Sequence, residues 1–121
     1  MNKAVVDGYI AKAAELLEAS KVAENGKINK TFRGYISSFG AAVTMGSLRS
    51  AIAFNSVKGG ASDDRQELMK IIYALITGSI YSDNANLLKY VIDENDDAKL
   101  KEKICDAAIA IKLAMNLYEL V

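Results

Sequence analysis

Apolar residues recur at intervals of three and four along nearly the whole chain, the spacing of one face of an α-helix. Val5, Val6, Tyr9, Ile10, Ala13, Leu16 and Leu17 mark a first amphipathic helix over roughly residues 3–22. Asn25-Gly26 is expected to end it, since both residue types tolerate the left-handed conformation of a helix terminus. Asn29 or Thr31 can cap a second helix whose buried face is Phe32, Tyr35, Ile36, Phe39 and Val43. The stretch TMGSLRSAIAF then sets a Gly-Ser pair inside an apolar run. A glycine in a helix interior costs ~1 kcal/mol, so two helices meeting at a corner explain it better than one long helix. Gly46 closes the second helix, Ser47 caps the third, and Leu48, Ala51, Ile52 and Phe54 form the third helix's apolar face.

Lys58-Gly59-Gly60 reads as a mobile link. Ser62-Asp63-Asp64 caps a fourth helix and puts acid at its positive end. Its stripe is Leu68, Ile71, Ile72, Leu75 and Ile76, and Gly78 stops it. Asn86 to Ile92 suits a short fifth helix with Leu87, Leu88 and Val91 inward. Asp96 or Asp97 caps the last helix, which runs to about Tyr118 with a stripe of Leu100, Ile104, Ala107, Ala108, Ile111, Met115 and Tyr118. A second row, Ile109, Leu113 and Leu117, makes its later half apolar nearly all round. Such a helix is the centre of a bundle or a surface that buries against another chain. No period-two alternation is present, so the expected fold is all-α, a single-domain bundle of five to six helices over residues 1–121.

Composition narrows the chemistry. A chain of 121 residues supports one domain with a real core. No apolar run approaches the ~18 residues of a membrane span, and charges interrupt the first twenty residues, so neither a membrane segment nor a signal peptide is expected. One cysteine allows no internal disulfide, and a cytoplasmic location is the default. There is no histidine, which removes the commonest general base and metal ligand. There is no proline either, which favours helices with short glycine-punctuated corners.

Asp93-Glu94-Asn95-Asp96-Asp97 resembles the opening of a calcium loop, but the sixth and twelfth places hold Ala98 and Ile104 where the loop needs glycine and glutamate. Cys105 has no imidazole to generate a thiolate, and the adjacent acids Asp63/Asp64 and Asp93/Glu94 lie in polar turns where their pKa values stay together. Gly59-Gly60 matches no phosphate-binding pattern. The expectation is therefore a non-enzyme with no metal and no cofactor.

Charge is zero overall but unevenly spread, with eight basic residues against four acidic in 1–60 and seven against eleven in 61–121. Either the halves intermix on folding, or residues 21–58 build a basic face for RNA or an acidic partner. The candidates are Lys27, Lys30, Arg33, Arg49 and Lys58. Arg49 sits near a helix start, where the dipole disfavours a cation, so either a local carboxylate or an external anion must offset it. Binding through these residues would be to backbone phosphates and steeply salt-dependent. Gly34, Gly40 and Gly46 recur at intervals of six, which admits a close-packed backbone or merely a weakened helix.

The run from Phe32 to Lys58, with its Tyr-Ile pair, its Met-Gly-Ser-Leu corner and its Ala-Ile-Ala-Phe helix, resembles the small subunit of type III-B CRISPR RNA-guided effector complexes, the Cmr small-subunit family. Gly46, Leu48, Ala51, Ala53, Phe54 and Lys58 match, with Ser47 inserted at the corner. The last helix, DAAIAIKLAMNLYELV, looks like the family's terminal segment but has Leu113 and Asn116-Leu117 where an aromatic and a basic-aromatic pair are usual. The resemblance implies a non-catalytic subunit of an antiviral ribonucleoprotein. Its implied partners are other effector-complex subunits, copies of itself, and guide or target RNA by backbone contact, while nuclease and cyclase chemistry belongs to other subunits. Ile109, Leu113 and Leu117 are then candidates for subunit contact. The alternative is a helical adaptor or regulatory domain that binds a protein partner without nucleic acid.

Overall fold

The computed structural model describes residues 1–57 and 63–121. In chain order they form α1 (Lys3–Ala19), β1 (Ala23–Glu24), β2 (Lys27–Ile28), α2 (Thr31–Met45), α3 (Leu48–Asn55), α4 (Asp63–Thr77), α5 (Leu87–Glu94), α6 (Asp97–Ala114) and β3 (Glu119–Leu120). The helical bundle is as expected, with a very small sheet added to it. The predicted Lys58-Gly59-Gly60 link and the cap at Ser62 lie outside the described residues.

Helix ends follow local chemistry. Ser47 caps α3 by accepting from the Ser50 N–H at 3.4 Å. Asn86 and Asp96 cap α5 and α6 by accepting from the backbone N–H of Lys89 and Lys99. At α2 the expected cap differs: the N-cap position is Lys30, whose side chain makes no capping bond, while Asn29, two residues before the helix, accepts from the Thr31 N–H (3.0 Å) and hydroxyl (2.9 Å). Gly78, at φ +68°, stops α4.

The end of α1 differs from the expectation. The helix stops at Ala19, and Lys21 takes positive φ. Asn25 and Gly26, at φ +54° and +75°, are instead the two-residue turn of a hairpin that pairs Ala23 with Ile28 and Glu24 with Lys27. Two positive-φ residues in a two-residue loop are the signature of a type I′ turn. β3 then adds in parallel to β2, with Lys27 opposite Glu119 and Ile28 opposite Leu120. Strands of two residues are too short to show alternation, so the Asn-Gly pair was the one available signal.

α6 is the axis of the core. It packs most extensively on α1 and also touches α2 and α4. Its inward face is rich in alanine: Ala107, Ala108, Ala110 and Ala114 are buried, with Leu100, Ile104, Ile111 and Met115 filling the space between. Phe32, Ile36, Phe39 and Val43 from α2, and Leu68, Ile71, Ile72 and Leu75 from α4, complete one continuous cluster. Tyr118 closes the far end by donating to the Ala14 carbonyl at 3.2 Å. Two expectations fail here. Phe54 lies on the outer side of α3, 68% exposed, because Leu48, Ala51, Ile52 and Asn55 take the inner face. Gly34 and Gly40 face open space; among the three spaced glycines only Gly46 is tight, where a Cβ would lie 3.0 Å from the Ala42 carbonyl oxygen.

The segment between α4 and α5 is held by a polar cluster. Lys70 Nζ lies 3.2 Å from Glu67 and 3.5 Å from Asp83. The Tyr81 hydroxyl reaches both Glu67 and Asp83, the latter at 2.8 Å, so one phenolic proton serves two carboxylates. Burial, and then these two acids, push the Tyr81 phenol well above its ordinary pKa and keep it protonated. The Tyr81 hydrogen bond, and then Lys70, hold the Asp83 carboxyl below the usual carboxylate range.

Replacing Gly26 by alanine puts a Cβ on a left-handed residue and is expected to cost about 1 kcal/mol, a loss of about 3–5 °C in thermal midpoint for a domain of this size; an unchanged midpoint in a calorimetric scan refutes the turn assignment. A carboxylate with a lowered folded pKa stabilises the fold above its unfolded value of about 3.9, and that contribution disappears as pH falls through the lowered value. Asp83→Asn is therefore expected to lower stability at neutral pH and to flatten the fall in stability below about pH 4, read from urea unfolding at a series of pH values.

Candidate interaction surface

The basic residues picked out from the sequence separate into two places. Lys27, Lys30 and Arg33 lie on β2 and at the start of α2, all exposed. Arg49 lies beyond the other end of α2, on α3 and past the Gly46–Ser47 corner. Lys58 lies outside the described residues. The single basic groove expected from these five is thus not formed by the four that are described.

Arg49 meets its own carboxylate. Nε lies 3.0 Å from Asp97 Oδ2, Nη2 lies 3.1 Å from Asp97 Oδ1, and Nη2 also donates to Asn95 Oδ1 at 3.0 Å. This two-pronged geometry suits the planar guanidinium, and it offsets the unfavourable dipole at the start of α3 with an acid from the first turn of α6. The external-anion reading of Arg49 is thereby displaced. The acidic run that resembled a calcium loop is used in the same way: Asp93 pairs with Lys89 at 3.0 Å, Asp96 caps α6 and Asp97 holds Arg49.

Lys27 is also framed by acid. Its cross-strand neighbours are Glu24 on one side and Glu119 on the other. Opposite charges across a ladder attract, so Lys27 lies in an acidic setting, although it makes no ion pair among the described residues. Lys30 and Arg33 are left. Neither forms an ion pair among the described residues, and both occupy the positive end of α2, where the backbone dipole adds to their charge.

The apolar candidates converge on this same end. Ile109 is half-buried, whereas Leu113 and Leu117 are 44% and 70% exposed. The last helix is therefore central to the bundle on its inner face, where alanines are buried, while Leu113 and Leu117 stay at the surface. α6 runs antiparallel to α2, with Lys112 donating to the Ser37 hydroxyl at 2.9 Å. The chain then turns into β3, whose neighbour β2 leads to Lys30, and the Lys30 N–H reaches the Val121 carbonyl at 3.4 Å. Lys30, Arg33, Lys112, Leu113 and Leu117 thus all lie toward one end of the bundle.

Lys112 was missed by the sequence reading. The available signal was its place in the last turn of α6, where a cation complements the helix dipole. Beside it, a shallow cleft of about 280 Å³ runs between α2 and α6 over Gly40, Ala41, Thr44, Cys105 and Ala108. Burial pushes the Cys105 thiol above its ordinary pKa, so it stays protonated at neutral pH and is a poor nucleophile. The face offers charge, apolar area and shape. No helix among the described residues is long and apolar enough to cross a membrane.

Arg49→Glu sets two carboxylates against each other, and the half-exposed setting limits the effect through solvent screening. The expected cost is about 1 kcal/mol, with partial recovery on adding Asp97→Lys; a variant as stable as the parent in denaturant titration contradicts the structural role. Compared with protein-family models, with curated proteins and with solved structures, the chain matches none.

Proposed function

We propose that this chain is a non-catalytic structural subunit of a type III-B CRISPR ribonucleoprotein effector complex, serving antiviral defence in the cytoplasm. It packs against backbone subunits and neighbouring copies of itself and contacts guide or target RNA weakly through phosphates. The observation that carries the reading is an exposed leucine pair and unpaired cations toward the same end of the bundle. Leu113 and Leu117 supply apolar area for protein contact, and Lys30 and Arg33, toward the same end of the bundle, have no carboxylate partners among the described residues. The likeness of the Phe32–Lys58 run to the Cmr small-subunit family supports the same reading.

The cation count favours a second reading in one respect. With Arg49 bound to Asp97 and Lys27 set between Glu24 and Glu119, few charges remain for RNA. A helical adaptor that uses the same face for a protein partner alone fits that reduced count.

Reconstitution with effector subunits and guide RNA separates the two. Leu113→Glu with Leu117→Glu is expected to abolish incorporation into the complex while the isolated protein stays folded. Lys30→Glu with Arg33→Glu is expected to spare assembly but to reduce the log–log salt slope of RNA binding by about 1.4, two phosphates at about 0.7 each for a single strand. Full incorporation of the leucine variant refutes the ribonucleoprotein reading. Normal assembly with no RNA affinity in the parent favours the adaptor.

A further inference from the structure

At the opposite end of α2 a second surface remains without a role. A groove of about 670 Å³ opens between α2 and α3, lined by Phe39, Ala42, Met45, Ala51, Phe54 and Arg65 among others. Met45 is 87% exposed and Phe54 68%, so two large apolar side chains stand in solvent at its rim. Arg65 is the one charged residue in the lining. Its guanidinium lies over two rings, with Cζ 4.6 Å from the centre of Tyr35 and 5.8 Å from that of Phe54. Ring faces attract the cation through their quadrupole and take up none of its five N–H donors. Among the described residues no carboxylate or carbonyl engages those donors. The rings hold a planar cation in place, and its hydrogen-bonding edge stays free.

We infer that this groove docks a segment of a partner protein that presents one carboxylate between apolar side chains. The carboxylate takes the free edge of Arg65 in a two-pronged pair, the geometry for which guanidinium and carboxylate are matched. The flanking apolar groups cover Met45, Ala42 and Phe54, and their burial supplies the hydrophobic part of the affinity. A nucleic-acid strand fits less well, because it brings a phosphate with every nucleotide and needs a line of cations. The groove has one, and Arg49, the nearest cation along α3, is held by Asp97. Residues 58–62, Lys-Gly-Gly-Ala-Ser, contain neither a carboxylate nor a large apolar side chain, so that segment has nothing to supply such an occupant. The inference goes beyond the ribonucleoprotein reading and does not depend on it, since the Lys30–Leu117 face lies at the other end of α2.

The test uses the whole protein and a phage-displayed random dodecapeptide library as the probe, with selected peptides then measured by fluorescence anisotropy. Selected peptides are expected to carry an Asp or Glu within three or four positions of apolar residues. Arg65→Gln and Phe54→Ser are each expected to weaken them at least tenfold, as is changing the peptide's acid to its amide, whereas Lys30→Glu leaves affinity within twofold. Phe54 and Met45 are exposed, so Met45→Ser serves as a second variant that keeps the core intact. Four results overturn the inference. They are a library that yields no binder, binders without a shared acidic position, binding that survives Arg65→Gln, and displacement of the peptides by a uridylate 20-mer. A dimer in sedimentation velocity that Phe54→Ser dissolves overturns it as well, since a second copy is then the occupant.

Discussion

The structure depends on the packing of α6 against its neighbours, α1 above all. Four alanines on the inner face of α6 (Ala107, Ala108, Ala110 and Ala114) are buried, and a methyl group is the smallest side chain that fills space without the backbone freedom of glycine. Small residues leave room for neighbouring helices, α1 above all, and Leu100, Ile104 and Ile111 join one cluster with residues of α2 and α4. A larger residue at any of these alanines forces the helices apart, and such overpacking costs roughly 1–3 kcal/mol. Because α6 is surrounded on the inner side only, its outer row can be apolar without being core. Leu113 and Leu117 are therefore exposed as a consequence of packing, and they mark the side on which the bundle is open.

Much of the helical organisation was legible in the sequence because each helix carries its own punctuation. Ser47, Asn86 and Asp96 each sit one residue before an apolar-periodic run, and each accepts a hydrogen bond from the first turn. Where punctuation was ambiguous the reading failed. Asn25-Gly26 satisfies the chemistry of a helix end and of a hairpin turn equally well, since both need positive φ. What decided between them was β3, more than ninety residues away in sequence, which gives β2 a second neighbour. Phe54 failed for a related reason. On a helix of eight residues, two adjacent faces both look apolar, and Asn55 was a poor candidate for the inner one until its amide found the Ala51 carbonyl at 2.8 Å.

The candidate surface was legible as a set of residue types and illegible as a place. Lys30, Arg33, Leu113 and Leu117 lie some eighty residues apart in sequence, and only the antiparallel packing of α6 on α2 unites them. The same packing removed Arg49 from the set. Its two possible partners, a local acid or an external anion, could not be told apart from a helix-start position. The local acid turned out to be Asp97, on a different helix. Charge asymmetry between the halves thus partly cancels on folding, through Arg49 with Asp97, and partly survives, at Lys30 and Arg33.

Three side chains show how a cation's surroundings decide what it is free to do. Arg49 has a carboxylate on its fork and an amide oxygen beside it, so its donors are occupied and its role is to tie α3 to α6. Lys70 sits between Glu67 and Asp83, with Tyr81 sharing a proton across the same pair, so its charge is spent holding the α4–α5 connection. Arg65 differs in kind, because aromatic rings satisfy its charge and leave its hydrogen bonds unmade. For the first two, adding an external anion means breaking bonds already formed, with a carboxylate left behind uncompensated. For Arg65 nothing is broken, and the ordering of the side chain has already been achieved by Tyr35 and Phe54. Equal formal charge therefore gives three unequal surfaces, and the one least engaged with acid is the one best prepared to meet it.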